Sequence, residues 1–499
     1  MNISVQDILD LAQPLAWMSQ PFQGFCLDSR KVESGQVFIA LNSYSQPEKT
    51  LLFAQAALAK GAIGIIAETA LAVDNCWVCP QARLEMGKWQ KRYLDATQPT
   101  HPLHLFAVTG TNGKTTISRL IAELVSLQGQ ACAVMGTTGN GILPHLEAST
   151  HTTLDAIQLQ NALHQYAQQG AKFAALEASS HGLEQGRLQG AEIEIAVYSN
   201  LSRDHLDYHK TIEAYAEAKA QLFAFPSLKT AIINLDDDYA QIMLAQAQNN
   251  PAKPTIWTYA LENQQADFYV SELSFSLQGA RFNLHTPQGV FSVQSPLLGH
   301  FNVENLVASL IAVFAAGFDF AAFVASVPQL QGAPGRMQVL RDQDKLFVVD
   351  YAHTPDALIQ VLTSLQRHVE QRLWAVFGCG GDRDRGKRPL MTLAALAHAN
   401  PVILTSDNPR TENPEQIFAD MKKDIDFSAH DMYEIHDRRA AIRFAVAQAQ
   451  AGDIVVIAGK GHENYQEIDG VRHWFDDVVE VDAAIHHQGE ITAHSALEN

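Results

Sequence analysis

Short apolar runs recur through the middle of the chain, and each one ends in a polar loop. The runs are "LFAVTG", "ACAVMG", "FAALEAS", "IAVYSN" and "TAIINLDD", and amphipathic segments separate them. Continuous apolar runs bounded by turn residues are typical of strands that are buried on both faces. Their alternation with helical segments predicts βαβ units and a mostly parallel sheet.

The last third of the chain repeats this pattern. The segments "LFVVDYAHTPDA", "LWAVFGCGGDRDRG", "NPVILTSDNPR" and "DIVVIAGKGHE" each begin as a strand and continue into a polar loop. Ligands of open α/β sheets bind at the carboxyl ends of the strands. These loops therefore predict a binding site at one edge of one sheet.

Two proline-bearing polar stretches, "DATQPTHPLH" and "VPQLQGAPGRMQ", divide the chain. They predict three α/β domains, a smaller N-terminal one over residues 1–98, a central one over 99–333 and a Rossmann-like C-terminal one over 334–499. In the first region, one helical stretch lies between the strand-like runs "GQVFIAL" and "AIGIIAE".

Composition excludes several classes of protein. The 499 residues carry a formal net charge of −19, which disfavours nucleic acid as a partner. The apolar stretch from Leu306 to Val327 is interrupted at Gly317 and Asp319, so it predicts two buried helices rather than a membrane span.

Cysteine usage and the start of the chain favour the cytoplasm. The five cysteines are odd in number and scattered, and the opening residues lack the features of a signal peptide. Cys76 and Cys79 form a C-x-x-C, but no second pair completes a zinc site, so we expect no metal or redox role for them.

The segment "FAVTGTNGKTTISRLIAELV" predicts a phosphate-binding loop between a strand and a helix. Glycines allow backbone N–H groups to surround phosphate oxygens, and the helix N-terminus adds partial positive charge. Lys114 can reach the β- and γ-phosphates of ATP, and the Thr115 hydroxyl suits Mg²⁺. Val108 stands where the general motif has its first glycine, so the loop is shorter at its start. The residues of this ATP site are Gly110, Thr111, Asn112, Gly113, Lys114, Thr115 and Thr116. They make the central domain a P-loop ATPase-type domain.

Polar residues follow two further strands of the central region. Glu177 lies at the end of the strand in "FAALEAS", where a carboxylate can hold Mg²⁺ opposite the phosphate loop. The segment "SNLSRDHLDYH" groups Asn200, Asp204, His205, Asp207 and His209 within ten positions, which favours a functional cluster over isolated structural residues.

Eight segments occur in the order seen in the Mur ligases, which the chain resembles from about residue 100 to about residue 470. They are "VTGTNGKTT", "LEASSHGL", "SNLSRDHLDYH", "AYAEAKAQLF", "GHFNVENLVAS", "GAPGRMQ", "DYAHTPDAL" and "GGDRDRGKRP". The resemblance implies an ATP-dependent amide ligase of peptidoglycan precursor synthesis that works through an acyl phosphate. The first hundred residues match less well. "CLDSRKVESGQVFIAL" resembles the start of a uridine-nucleotide-binding domain, whereas "NSYSQPEK" departs from the expected Gly/His/Asp-rich loop.

The resemblance also implies roles for individual residues around ATP. Lys114, Glu177, His205 and Lys219 are the implied catalytic residues, and two Mg²⁺ ions would be held by Thr115, Glu177, His205 and the N6-carboxylated (carbamylated) form of Lys219. Without the family, Lys219 would be read as a lysine on an amphipathic helix. The implied contacts to adenine, ribose and phosphates are His300, Asn302, Asn305, Arg336, Asp350 and His353.

The residues implied to bind the acceptor substrate resemble those of the family member acting on UDP-N-acetylmuramoyl-L-alanyl-D-glutamate. The implied contacts are Leu27 and Ser29 for the uridine and His151, Thr152, Thr153, Ser179, Gln185 and Arg187 for the sugar–dipeptide. Position 151 is His where the family pattern has Asn, which puts that contact in doubt.

The loop "TSDNPRTENP" indicates the incoming amine. meso-Diaminopimelate carries a distant ammonium and carboxylate, so its site needs both a bidentate cation and acceptors. The implied residues are Arg383, Asp407, Asn408, Pro409, Arg410, Gly459 and Glu463. Asp-Asn-Pro-Arg resembles the pattern of diaminopimelate-adding members, and lysine-adding members lack the arginine.

Three alternatives remain at this point: a ligase of the same family that adds L-lysine, a folylpolyglutamate synthetase, and a nucleotide-gated regulatory or scaffold protein. Arg410 disfavours the first, the uridine-type first domain disfavours the second, and the Glu177, His205 and Lys219 set has no evident use in the third. We expect a monomer that acts on small molecules, with no nucleic acid and no membrane insertion.

Overall fold

The fold was obtained as a computed structural model, which describes residues 3–11, 13–42, 46, 48–149 and 151–496. Within the segment "NSYSQPEK", residues 43–45 and 47 lie outside the described residues. The chain forms two compact units, residues 1–267 with 308–320 and residues 268–307 with 321–499. The predicted domain boundaries near residues 98 and 333 remain predictions.

The first hundred residues form a four-stranded parallel sheet in the order β1-β2-β3-β4. The β2 and β3 strands are wholly buried, as their uninterrupted apolar runs predict. The elements are α1 (Val5–Leu9), β1 (Phe25–Cys26), β2 (Val37–Ala40), α2 (Lys49–Ala59), β3 (Gly64–Ala67), β4 (Cys76–Val78) and α3 (Ala82–Thr97).

The central sheet is built from the predicted βαβ units. Its elements are β5 (His104–Thr109), α4 (Lys114–Leu127), β6 (Cys132–Gly136), β7 (Gly139–Ile142), α5 (Ala156–Gln168), β8 (Phe173–Glu177), α6 (Ser180–Glu184), β9 (Ile193–Tyr198), α7 (Leu206–His209), α8 (Ile212–Ala220), β10 (Thr230–Asn234), α9 (Ala240–Asn249) and β11 (Thr255–Ala260). The strand order is β11-β10-β9-β5-β8-β6-β7, and all pairs are parallel except β6–β7. The chain continues from β5 toward β6 on one side and later returns to β9 on the other, so β5 lies at the topological switch point where such sheets bind ligands.

An antiparallel meander follows that the sequence pattern did not predict. Its strands are β12 (Phe268–Ser276), β13 (Gly279–Thr286) and β14 (Gly289–Ser295). The β12 strand alternates between covered and exposed positions, because an antiparallel sheet can face water on one side.

The apolar stretch from Leu306 to Val327 forms two helices, α10 (His300–Ala315) and α11 (Phe320–Val324), as predicted. The break includes Gly317, whose φ of +91° is a left-handed conformation that favours glycine. Among the described residues, no helix is both long enough and apolar enough to cross a membrane.

The last third forms a six-stranded sheet in the order β15-β16-β20-β17-β18-β19, in which only the β15–β16 pair is antiparallel. A separate hairpin joins β21 to β22. The elements are β15 (Gln338–Asp342), β16 (Lys345–Asp350), α12 (Pro355–Leu365), β17 (Leu373–Phe377), α13 (Lys387–His398), β18 (Val402–Leu404), α14 (Pro414–Met421), β19 (Met432–Glu434), α15 (Arg438–Gln448), β20 (Ile454–Ala458), β21 (Tyr465–Ile468), β22 (Val471–Trp474) and α16 (Asp477–Ala496). Because β16, β17, β18 and β20 are parallel, the four polar loops predicted from the sequence leave the same edge of this sheet.

Candidate active site

The phosphate loop lies between β5 and α4, as the sequence predicts. Gly113 precedes the helix with φ +86°, so α4 begins directly after a left-handed residue. A Cβ atom on Gly110 would lie 1.9 Å from Ser199 Oγ, so only glycine fits there without moving the neighbouring loop. Lys114, Thr115 and Thr116 form the first turn of the helix, where backbone N–H groups point outward and suit an anion.

The loop after β9 holds the phosphate loop in shape. The Thr111 N–H donates to Asn200 O at 2.8 Å, and the Asn112 N–H donates to Asn200 Oδ1 at 3.0 Å. Ser199 Oγ donates to Asn112 O at 2.6 Å. Asn200, which the sequence placed in a functional cluster, therefore positions the backbone of the phosphate loop.

Two lysines meet at the carbonyl oxygen of Gly110. Lys114 Nζ donates to Gly110 O and to Thr111 O, both at 2.9 Å, and Lys219 Nζ donates to Gly110 O at 2.8 Å. Lys219 is 1% exposed, and its Nζ lies 4.3 Å from the centroid of the Tyr215 ring. Burial, together with the nearby charge of Lys114, lowers the pKa of Lys219 well below its usual value. A neutral amine is therefore more accessible here than on an exposed lysine.

Glu177 ends β8 and is 2% exposed. Its Oε1 accepts from the Thr137 N–H at 2.8 Å, and its Oε2 accepts from Thr137 Oγ1 at 3.2 Å. A Cβ on Gly136 would lie 2.1 Å from Glu177 Oε1. The end of β6 thus fixes the carboxylate from one side, and sequence reasoning missed both Thr137 and Gly136.

His205 lies directly before α7 in the left-handed conformation, with φ +53°. Its N–H donates to Asp204 Oδ1 at 2.8 Å, and its ring packs edge-on to His181 with a centroid separation of 5.0 Å. His209 is buried and contacts Ser180 Oγ through Nε2 at 2.9 Å and Glu184 Oε2 through Nδ1 at 3.3 Å. His205 and His209, two members of the predicted cluster, thus both pack against the His181 ring of α6.

Two of the four residues predicted for metal, Glu177 and Thr115, offer the oxygen atoms that suit Mg²⁺. Among the described residues, no group of three or more His, Cys, Asp and Glu side chains is arranged to hold an ion. Mg²⁺ keeps several waters and takes one or two carboxylates together with substrate phosphates. The Glu177 carboxylate and the Thr115 hydroxyl are oxygen donors of that kind.

The predicted acceptor residues form one hydrogen-bonded group beside Glu177. Thr153 Oγ1 donates to Glu177 O at 2.7 Å and accepts from the Ser179 N–H at 3.0 Å. Arg187 Nη1 donates to Thr153 O at 2.8 Å, and Arg187 Nη2 donates to Gln185 Oε1 at 2.7 Å. Burial lowers the pKa of Arg187.

The remaining acceptor residues flank this group or lie in the first region. Thr152 Oγ1 lies within hydrogen-bonding distance of Thr137 Oγ1, at 3.1 Å, and His151 is exposed. Leu27 and Ser29 lie in the loop after β1, where Ser29 is 8% exposed.

In the second unit, the predicted adenine residues lie in the first turns of α10. Asn302 Nδ2 donates to Leu298 O at 2.8 Å, and Asn305 Nδ2 donates to Asn302 Oδ1 at 3.3 Å. The His300 N–H donates to Ser364 Oγ at 2.8 Å.

The predicted ribose and phosphate residues surround the end of β16. Asp350 accepts from the Met337 and Ala352 N–H groups, both at 2.8 Å, and burial raises its pKa. The Arg336 guanidinium lies 4.6 Å from the Tyr351 ring centroid, and His353 Nδ1 contacts Tyr351 O at 2.9 Å.

The loop after β18 carries the residues predicted for diaminopimelate. Arg410 has φ +52°, and its Nη1 donates to Gly381 O at 2.8 Å in the neighbouring loop after β17. Its N–H donates to Glu467 O at 2.9 Å, and its carbonyl accepts from the Asp469 N–H at 2.7 Å. The loop is therefore held against the β21–β22 hairpin by a single isolated bridge at Arg410 and Ile468.

Gly459 and Arg383 lie at the borders of this site. Gly459 has φ +117°, and a Cβ there would lie 3.6 Å from Asp407 Oδ2, so glycine leaves space in front of the carboxylate. Arg383 is exposed.

Sequence reasoning missed Lys460, which is fully buried in the middle of the predicted site. Its Nζ lies 3.2 Å from Asn408 Oδ1, 3.5 Å from Asp407 Oδ1 and 3.7 Å from Glu463 Oε2. The sequence did contain a signal for this residue. Lys460 stands between two glycines directly after an apolar strand, where a charged side chain is unusual.

A buried arginine that was also missed joins the loops after β17 and β18. Arg388 Nη2 donates to Glu412 Oε2 at 2.6 Å and Arg388 Nη1 to Asp420 Oδ2 at 2.8 Å. The Asp382 N–H donates to Glu412 Oε2 at 3.0 Å. This network positions the segment between Gly381 and Arg388.

A family model described as Mur ligase middle domain matches residues 108–313, and one described as Mur ligase, glutamate ligase domain matches residues 335–461. The chain is 44% identical over 469 residues to the UDP-N-acetylmuramoyl-L-alanyl-D-glutamate–2,6-diaminopimelate ligase of Ectopseudomonas mendocina, covering 92% of this chain and 94% of that one. The ligase of the same name from Pseudomonas aeruginosa gives the same identity and coverage.

A solved structure of a UDP-N-acetylmuramoyl-L-alanyl-D-glutamate–2,6-diaminopimelate ligase is 71% identical to this chain. It matches with a TM-score of 0.81 and covers 98% of this chain and 100% of its own. The family models together with relatives of this identity and coverage confirm the resemblance seen in the sequence motifs. The chain therefore belongs to the Mur ligase family.

Proposed function

We propose that this chain joins meso-2,6-diaminopimelate to UDP-N-acetylmuramoyl-L-alanyl-D-glutamate, with conversion of ATP to ADP and phosphate. The reaction serves peptidoglycan precursor synthesis. The high identity to two ligases with this name over most of the chain supports the proposal.

The loop after β18 is the observation that carries the choice of amine. Arg410 is held at a defined position by Gly381 O and by the backbone of β21, and a guanidinium suits a carboxylate. Asp407 and Glu463 meet around one buried lysine and offer acceptors for an ammonium. The far end of diaminopimelate carries both groups, whereas the far end of L-lysine carries only the ammonium.

The first chemical step uses the phosphate loop. A carboxylate oxygen of the acceptor attacks the γ-phosphorus of ATP, the bond to ADP breaks, and an acyl phosphate forms. The Lys114 ammonium exchanges the carbonyls of Gly110 and Thr111 for phosphate oxygens, and the N-terminus of α4 stabilises negative charge. Arg187 and its neighbours Thr153 and Ser179 bind the acceptor, with Leu27 and Ser29 at the uridine.

Two Mg²⁺ ions fit this chemistry. Thr115 and Glu177 would hold one ion, and His205 and the N6-carboxylated Lys219 would hold the second. When bound, these ions neutralise the phosphoryl oxygens during transfer. Thr137 holds both oxygens of Glu177 and so orients the carboxylate for this task.

The environment of Lys219 favours its carboxylation. Only the neutral amine attacks CO₂, and the attack gives a carbamate and releases a proton. Burial and the charge of Lys114 lower the pKa of Lys219, which favours the neutral amine that this reaction needs.

The second step forms the amide. The amine of diaminopimelate attacks the acyl carbon, phosphate leaves, and the nitrogen loses a proton. Arg410, Asp407 and Glu463 hold the far end of the amino acid, which leaves its other amine free to react. Arg383 lies in the exposed part of the loop after β17 and adds positive charge.

Nucleotide binding completes the proposal. Asn302 and Asn305 with His300 bind the adenine, and Arg336, Asp350 and His353 bind the ribose and phosphates. We place the enzyme in the cytoplasm, in keeping with its five free cysteines, and we expect it to act as a monomer.

A coupled assay of ADP release tests the function. Purified protein receives Mg²⁺–ATP, the UDP-sugar dipeptide and one amino acid from a panel that includes meso-diaminopimelate, L-lysine and L-glutamate. We expect ADP only when both the acceptor and diaminopimelate are present. Release with L-lysine as the preferred amine, or without any acceptor, would contradict the proposal.

A further inference from the structure

A buried lysine occupies the centre of the proposed diaminopimelate site. Lys460 follows β20 and has 0% side-chain exposure, whereas Asp407 and Glu463 keep 11% and 23%. The ammonium therefore lies behind the two carboxylates and away from solvent. A buried charge is retained only where it is paired, because desolvation is costly.

Lys460 faces only one oxygen atom of each of the two carboxylates. Its Nζ faces Asp407 Oδ1 at 3.5 Å and Glu463 Oε2 at 3.7 Å. Asp407 Oδ2 and Glu463 Oε1 make no hydrogen bond to any of the described residues. Each carboxylate thus faces Lys460 with one oxygen, and its other oxygen is left to accept a further hydrogen bond.

The same ammonium orients the amide of Asn408. Lys460 Nζ lies 3.2 Å from Asn408 Oδ1, which also accepts from the Glu467 N–H at 2.9 Å. Asn408 Nδ2 then donates to Glu463 Oε2 at 3.0 Å. Lys460 therefore links the loop after β18 to the loop after β20 through three side chains.

The geometry points to a role for Lys460 as the positioning residue that sets Asp407 and Glu463 as acceptors for the far ammonium of the amino-acid substrate. This inference rests on the proposed function. One cation between two carboxylates limits their mutual repulsion and fixes their rotation, so that both free oxygens are ready before the ligand arrives. Lys460 does not touch the substrate in this arrangement.

A comparison of two substrates tests this role. 2-Aminopimelate has the reacting amine and both carboxylates of diaminopimelate but lacks the far ammonium. For Lys460→Met, we expect the KM for diaminopimelate to rise about tenfold or more, with kcat changed much less. The reason is that Asp407 and Glu463, no longer held in position, lose hydrogen bonds to the far ammonium of the substrate. With 2-aminopimelate the variant and the wild type are expected to have similar KM values, since that substrate does not use the acceptors.

The decisive quantity is the preference for diaminopimelate, measured as the ratio of the two kcat/KM values. This ratio does not depend on the fraction of enzyme that is folded, so it remains informative if Lys460→Met is unstable. Lys460→Gln is a second variant that disturbs the site less, because glutamine keeps a hydrogen-bond donor at the end of its side chain. Lys422→Met is the matched control, because Lys422 also pairs with a carboxylate, Glu434, in the same unit.

A preference that falls in both Lys460 variants and stays unchanged in the control supports the inference. A wild-type preference that persists in the Lys460 variants overturns it, as does an equal loss with both substrates. Failure of the proposed function is distinguishable, since the wild type would then add neither amino acid to the acceptor.

Discussion

Arg410 shows how the role of a single side chain depends on backbone contacts. Its left-handed φ of +52° is uncommon for a residue other than glycine. Backbone hydrogen bonds with Glu467 and Asp469, and one from Nη1 to Gly381 O, hold this conformation. The guanidinium is therefore pre-positioned, which lowers the entropy cost of binding a carboxylate.

We expect Arg410→Ala to raise the KM for diaminopimelate by about 10- to 100-fold, because a charge-assisted pair is lost. The KM for ATP should change little, since the phosphate loop is untouched. Steady-state kinetics with each substrate varied in turn measures both values. Arg439→Ala is the control, as Arg439 pairs with Glu480 in the same unit. An unchanged KM for diaminopimelate would refute the specificity assignment.

Replacement of Lys219 is expected to affect turnover rather than substrate binding. Lys219→Ala should lower kcat by about a hundredfold or more, the range seen when one electrostatic stabiliser of a transition state is removed. Formate or acetate should restore part of the activity, because a small carboxylate can replace the carbamate. Lys229→Ala is the control, since Lys229 is 65% exposed and pairs with Glu194.

Full activity of Lys219→Ala would show that the carbamate is not required. An inactive variant that no carboxylate restores would leave the lysine with a structural role at Gly110 O. The same assay, repeated after removal of CO₂ and bicarbonate from the wild-type enzyme, should show reduced turnover that bicarbonate restores.

At the scale of elements, the strand ends determine where the chemistry lies. Apolar periodicity predicted β5, β8, β9, β16, β17, β18 and β20, because strands buried on both faces leave an unmistakable apolar run. It missed the β12–β14 meander, whose half-exposed strands alternate, and the short hairpin of β21 and β22. That hairpin proved important, since it holds the loop after β18.

The end of β6 gives a prediction at this scale. A Cβ on Gly136 would lie 2.1 Å from Glu177 Oε1, so Gly136→Ala must displace the carboxylate. We expect kcat to fall about tenfold or more and the free energy of unfolding to fall by about 1–3 kcal/mol, as overpacking costs this much.

Turnover and thermal unfolding measure these two effects of Gly136→Ala. Gly386→Ala is the control, because Gly386 has an ordinary φ of −64° and meets only the end of the Asp384 side chain. Wild-type turnover in Gly136→Ala would show that the position of Glu177 is not critical.

At the scale of the whole molecule, charge and binding sites are separate properties. The net charge of −19 repels anions in general, yet the proposed substrates are anionic. Local donors, among them the glycine-rich loop, Lys114 and Arg187, therefore have to act against that field. The predicted monomeric state and the domain boundaries remain predictions.

The sequence by itself determined the fold class, the phosphate loop and the family, because these depend on local patterns: apolar runs, glycine spacing and motif order. It also placed Glu177 at the end of a strand, Lys219 on a helix and Asp407–Arg410 in a loop after a strand. Only the tertiary structure decided which side chains meet. The contacts of Lys460 with Asp407, Asn408 and Glu463 join residues more than fifty positions apart or across a turn, and no local pattern encodes such distances. The same holds for the restriction that Glu177 places on Gly136.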